Sequence, residues 1–313
     1  MGKIAFIFSG QGAQYAGMGK ELYENLSVCR EVYDKADEAL GFKISKICFF
    51  GPEEELNITE NTQPAILTTS IAAMKALEEK GIRPDVAAGL SLGEYSALVC
   101  SGAFEFIDAV KLVRKRGRFM QEAVPKGLGG MAAIIGLKPE LLNEVITKSS
   151  SFGIVEGANF NCPGQMVIAG EIEAVKAACE IAKEAGALKA IMLNVSGPFH
   201  TSMLEPAAIK LEQELKGMDI KKTNIPVLTN VTGNFIGDTQ DIKGILKKQV
   251  MSSVQWEKTV NNMLDFGVDT FIEIGPGKTL CGFVKKVNRK VTVLNVEDLN
   301  SLNKAIEKIN GGN

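Results

Sequence analysis

Apolar runs and amphipathic segments take turns along most of this chain. "KIAFIF", from Lys3, is a short apolar run that ends in the glycine-rich "SGQGAQ" and reads as a buried strand entering a loop. Pro64 fits the first turn of a helix reaching about Lys80, with Asn61 or Thr62 as its cap. "DVAAG" (85–89) reads as a second buried strand, followed by a tight turn at Ser91 and a helix from Glu94. A long amphipathic helix is predicted from Phe106 to about Val124. This alternation predicts an α/β fold around a mostly parallel sheet.

One stretch has a different rhythm. After the hinge-like "PKGLGG" (125–130) come "MAAIIGL" as strand, "KPELLNEVITKSS" as helix, "IVEGAN" and "QMVIAG" as strands, "EIEAVKAACEIAKEAG" as helix and "AIMLNV" as strand. The order β-α-β-β-α-β is the ferredoxin-like arrangement. It predicts a small subdomain over residues 128–197, inserted into a larger α/β part made of residues 1–127 and 198–313.

The composition narrows the function classes. Hydrophobic residues make up 45% of the 313 and charged residues 23%, with a net charge of −2. That balance fits a globular chain with a sizeable core and does not suggest a nucleic-acid binder. No apolar stretch approaches the roughly 20 residues that span a bilayer. "KIAFIF" is too short for a signal-peptide core, so no targeting segment and no membrane are expected. The six cysteines are scattered without a C-x-x-C pair, which reads as reduced thiols of a cytoplasmic protein and not as a zinc site. His200 is the one histidine, and so the one candidate for imidazole base chemistry.

"GLSLG" (89–93) has the form G-x-S-x-G. The pattern is common by chance, but here it follows a strand and precedes a helix, the context of a nucleophile elbow. Gly89 and Gly93 would leave room where strand and helix approach. The helix N-terminus would offer N–H groups and a positive dipole end to a developing oxyanion. Ser91 is therefore the candidate nucleophile, and His200, in a Gly-Pro loop at a strand end 109 residues later, its candidate base. A hydrolase triad would also need an acid between them. Asp108, Glu122 and Glu156 lie in that interval, but none sits in a strand-end loop.

Seven segments together resemble the malonyl-CoA:acyl carrier protein transacylase family of acyltransferases in fatty acid and polyketide synthesis. They are "FSGQGAQYAGMG", "GLSLGEYSALVCSGAF", "LVRKRGRFMQEAVP", "GANFNCPGQMVIAG", "VSGPFHTSML", "KKQVMSSVQW" and "EIGPGKTL", in the family's order across nearly the whole chain. The resemblance implies a hydrolase-like, mostly parallel sheet core with the ferredoxin-like insertion. It implies Ser91 as nucleophile, His200 as base, the backbone N–H groups of Gln11 and Leu92 as oxyanion hole, and Arg116 as holder of the malonyl carboxylate. Gln249 would orient the imidazole through its main-chain carbonyl, which accounts for the missing acid. Phe199 resembles the variant that favours malonyl by crowding a 2-methyl branch. Leu90 departs from the histidine that many members carry before the serine, a change that bears on pocket polarity.

The resemblance further implies malonyl-CoA as substrate, the phosphopantetheine thiol of an acyl carrier protein as acceptor, no bound cofactor or metal, and a monomer. Carrier proteins of this kind are acidic, so Lys221–Lys222, Lys247–Lys248 and "KKVNRK" (285–290) are candidates for a basic docking rim. Arginine's planar fork suits a carboxylate that would otherwise be costly to bury. Without the resemblance, however, Arg114, Arg116 and Arg118 stay equivalent candidates. Two phosphate-binding decoys fail: Tyr15 replaces the third glycine of a dinucleotide fingerprint, and Ile272 the first glycine of a phosphate loop. A serine esterase or thioesterase remains the rival reading, and a non-catalytic acyl-binding protein a more distant one.

Overall fold

The computed structural model describes residues 2–125, 127–195, 197–237 and 241–311. Lys126 of the expected hinge and Ser196 of the histidine loop lie outside the described residues. Eight strands are formed among the described residues: β1 (Lys3–Phe8), β2 (Val86–Gly89), β3 (Gly129–Ile135), β4 (Val155–Cys162), β5 (Gln165–Glu171), β6 (Lys189–Met192), β7 (Val268–Ile274) and β8 (Thr292–Val296).

β1, β2, β7 and β8 form one parallel sheet in the order β2-β1-β7-β8. Its strands lack polar alternation because both faces are covered. Phe6 and Phe8 point to one core, with Ile66 and Ile71 of the helix Thr59–Glu79, while Ala5 and Ile7 point to the other. That second core is built on Trp256, Val260 and Met263 of the helix Trp256–Asp265, and on Leu280, Phe283 and Val284 of the helix Thr279–Val287. Period-two alternation thus serves two cores at once.

β3, β4, β5 and β6 form a separate antiparallel sheet in the order β4-β5-β3-β6. Placing the first strand between the third and fourth is what a β-α-β-β-α-β order requires when both crossovers are right-handed. The helices Pro139–Ser149 and Ile172–Glu184 cover this sheet through Leu142, Val145, Ala174, Val175 and Ala178, which pack on Ala132, Ile134 and Ile168. No helix among the described residues is long and apolar enough to cross a membrane.

The helix expected to start near Pro64 begins five residues earlier, at Thr59, after Ile58. Pro64 therefore lies inside the helix, and neither Asn61 nor Thr62 caps it. Their side chains donate backward instead: Thr62 Oγ1 to the Leu56 and Ile58 carbonyls at 2.6 and 3.1 Å, and Asn61 Nδ2 to Glu55 at 3.1 Å. The interior proline is tolerated where it sits, five residues from the start, because the helix is buried around it on all sides and tertiary packing outweighs one lost backbone bond.

Candidate active site

Ser91 stands in the turn between β2 and the helix Gly93–Cys100. Strand and helix approach too closely for side chains at the flanking glycines. A Cβ on Gly89 would lie 1.9 Å from the Gly93 carbonyl carbon, and one on Gly93 2.2 Å from the Phe8 oxygen. Ser91 has φ 53° and His200 φ 64°, the two non-glycine residues in the left-handed region among the described residues. Side-chain-bearing residues avoid that region, so at both positions the surrounding fold overrides local preference. Asn230 secures the serine turn: its Oδ1 accepts from the Ser91 N–H at 2.5 Å, and its Nδ2 donates to the Gly89 carbonyl at 2.6 Å.

Ser91 Oγ lies 2.7 Å from His200 Nε2, and His200 Nδ1 lies 2.9 Å from the main-chain oxygen of Gln249. A carbonyl oxygen only accepts, so Nδ1 carries the hydrogen and the Nε2 lone pair faces the serine hydroxyl. His200 is buried. Burial first, and then the nearby Arg116 charge, push its pKa from 6.5 down to about 4. The imidazole is thus neutral at physiological pH and able to take the hydroxyl proton.

Arg116 is 1% exposed. Its Nη1 donates to Gln63 Oε1 at 2.8 Å, and its Nη2 to Gln249 Oε1 at 3.0 Å and Ser91 Oγ at 3.4 Å. The guanidinium also sits 5.3 Å from the centre of the Tyr95 ring. Its hydrogen-bond partners among the described residues are all neutral. The other two arginines are engaged elsewhere on the helix Phe106–Ala123: Arg114 pairs with Glu60 at 3.2 Å over the Phe42 ring, and Arg118 with Glu122 at 3.8 Å on the surface. Of the three, Arg116 alone reaches the serine.

These side chains open onto a cleft of about 660 Å³ lined by Gln11, Ser91, Arg116, Asn161, Phe199 and His200, among others. Phe199 is buried beside His200. The backbone N–H groups of Gln11 and Leu92 have no acceptor among the described residues, so both can serve a ligand. Of "GPGKT", Thr279 lines the cleft together with Glu273 and Leu280, and the Glu273 carboxylate accepts from the Leu280 and Cys281 N–H groups at 3.1 and 2.7 Å. That helix start is satisfied by the chain's own acid.

Sequence reasoning did not single out Gln63, Glu94 or Asn230. Glu94 carried a usable signal, an acid in the otherwise buried helix start "GEYSAL". Gln63 and Asn230 carried none. Of the lysines considered for a docking rim, Lys221 pairs with Glu105 and Lys247 with Glu212. Lys285 donates to the Arg289 and Val291 carbonyls, and Lys286 to Gln165 Oε1, at the end of the helix whose start lines the cleft.

Comparison with known proteins places this geometry among relatives. The family model described as "Acyl transferase domain" matches residues 5–307. The chain is 51% identical to the malonyl CoA-acyl carrier protein transacylase of Bacillus subtilis, over 99% of this chain and 98% of that one. It resembles the crystal structure of the malonyl CoA-acyl carrier protein transacylase from Clostridium perfringens with a TM-score of 0.97 and 53% identity, covering 99% of this chain and 98% of that one. A malonyl-transacylase solved in complex with its type II PKS acyl carrier protein matches with a TM-score of 0.95 and 41% identity, over 98% of this chain and 99% of that one.

Proposed function

This chain belongs to the acyl transferase family, among the malonyl-CoA:acyl carrier protein transacylases, and from that premise we propose how its cleft carries a malonyl group from malonyl-CoA to the phosphopantetheine thiol of an acyl carrier protein. Ser91 Oγ attacks the thioester carbonyl while its proton passes to His200 Nε2. The Gln11 and Leu92 N–H groups hold the oxyanion. The C–S bond breaks, the departing sulfur takes the proton from His200, and CoA leaves as a thiol. The malonyl-Ser91 ester then meets the carrier's thiol, which gives its proton to His200 and attacks. Ser91 leaves with that proton, and the enzyme is regenerated.

The observation that carries this reading is the buried Arg116 guanidinium 3.4 Å from Ser91 Oγ, hydrogen-bonded to neutral groups only. A buried cation with neutral partners is costly unless an anion joins it, and a malonyl carboxylate is an anion of the right reach. A plain acetyl group brings no carboxylate to accept from the guanidinium. Phe199, beside His200, crowds the position of a 2-methyl branch. The main-chain carbonyl of Gln249 serves where hydrolases use an acid. The same proposal includes the division of the chain into residues 1–127 with 198–313, carrying Ser91, and the smaller 128–197 part. Two separate sheets support it. It also includes action in the cytoplasm, as a monomer without a resident cofactor or metal, supplying malonyl units for fatty acid synthesis.

The test is intact-protein mass after mixing with malonyl-CoA. The expected result is one malonyl adduct on the wild type and none on Ser91→Ala. Arg116→Ala should load malonyl about 100-fold more slowly relative to acetyl, as expected when one partner of a buried charge pair is removed. An unmodified wild type with free malonate accumulating would instead identify an esterase.

A further inference from the structure

Glu94 is fully buried one turn behind Ser91, and its hydrogen bonds among the described residues go neither to His200 nor to the guanidinium. Its Oε2 accepts from Gln249 Nε2 at 2.9 Å and from the Asn230 backbone N–H at 3.0 Å. These are the two residues that bracket the Ser91 peptide. Asn230 accepts its N–H, and Gln249 Nε2 donates to its carbonyl at 2.7 Å. The other end of the Gln249 carboxamide, Oε1, receives Arg116 Nη2 at 3.0 Å.

A carboxamide has two orientations of almost the same shape, related by a half-turn about its last torsion. Reversing Gln249 would point its N–H groups at the Arg116 N–H groups, and its oxygen at both Glu94 and the Ser91 carbonyl. Each of those contacts would pair like with like. Glu94 and the Ser91 carbonyl only accept, so together they require Nε2 on their side and deliver Oε1 to Arg116. Burial pushes the Glu94 pKa up and the Arg116 pKa down, and the attraction between carboxylate and guanidinium works against both shifts.

Resting on the malonyl-transfer reading, we propose that Glu94 is a positioning residue for substrate selection: it fixes the Gln249 carboxamide, and through it holds the Arg116 fork in the pose that receives the substrate carboxylate. The relay runs Glu94 to Gln249 to Arg116 through two hydrogen bonds. The main-chain carbonyl that orients His200 belongs to the same Gln249, so a single buried acid steadies both the carboxylate clamp and the base.

The experiment compares initial rates of Ser91 loading from malonyl-CoA and acetyl-CoA in the wild type, Glu94→Met, Gln249→Ala and the double variant. Methionine keeps the length of the side chain and removes the carboxylate. The ratio of the two rates on one sample counts active molecules only, so partial misfolding cancels. The malonyl-to-acetyl ratio is expected to fall about tenfold in each single variant, and no further in the double, as for residues acting through one network. Glu94→Gln, which keeps an oxygen acceptor without the charge, should recover part of the ratio. It also takes the place of Glu94→Met if that protein does not fold, with the same loss of additivity expected. An unchanged ratio, a ratio that rises, or effects that multiply would overturn the positioning role. A wild type that forms no malonyl adduct would instead overturn the reading on which it rests.

Discussion

The buried, neutral state of His200 sets how acylation responds to acid. From 6.5 to about 4, its lowered pKa corresponds to roughly 3 kcal/mol against the imidazolium in the free enzyme. At pH 6.5 an ordinary histidine would be half protonated, but here about 1 molecule in 300 would be. The rate constant kcat/KM for loading reports the free enzyme's base, so it should stay flat from about pH 8 down to about pH 5.5. The assay is quenched-flow mass measurement of the Ser91 adduct. A malonyl thioester of N-acetylcysteamine is the suitable donor, because it carries no phosphate to titrate in that range. Arg116→Gln removes the second cause of the depression and leaves burial, the larger one. Its midpoint should therefore rise but remain below 6.5. A wild-type profile already halved at pH 6.5 would refute the reasoning, since it would mean that the imidazole is solvated when the serine attacks.

The same histidine makes stability pH-dependent. Between about pH 4 and 6.5 the unfolded chain binds a proton at His200 that the folded chain refuses, so folding loses stability as pH falls. The loss from pH 7 to 5 is about 2 kcal/mol from this residue, so unfolding free energies from urea titrations should fall by that much more over this range in the wild type than in His200→Gln. Gly93→Ala places a Cβ 2.2 Å from the Phe8 oxygen. It should cost about 4 kcal/mol or more, read as a collapse in thermal midpoint, and a midpoint within a few degrees of the wild type would show that the turn can relax. Lys285→Glu with Lys286→Glu should slow transfer to the carrier protein about tenfold at low salt, with the deficit shrinking as salt rises. A deficit independent of salt would place the carrier elsewhere.

The chain's own sequence determined the alternation of elements, the two cores served by period-two strands, the β-α-β-β-α-β insertion and the strand-glycine-serine-glycine-helix turn. These are local properties, set by which side chains recur at 2 or 3.6 residues and by where glycine relieves a close approach. The motifs around Ser91 and His200 also pointed to a family. Other features required the folded chain. Arg114, Arg116 and Arg118 are equally basic in sequence. Only the packing of the helix Phe106–Ala123 against the helix Thr59–Glu79 turns Arg116 inward to Gln63 while its neighbours meet Glu60 and Glu122. Local reading failed outright at Pro64, where burial on every side extended a helix past its expected start. Asn230 and Gln249 lie 139 and 158 residues from the serine they hold. No periodicity spans such separations. Hydrogen bonds between distant side chains form only when the cores bring their backbones together, so tertiary packing decided the site's geometry.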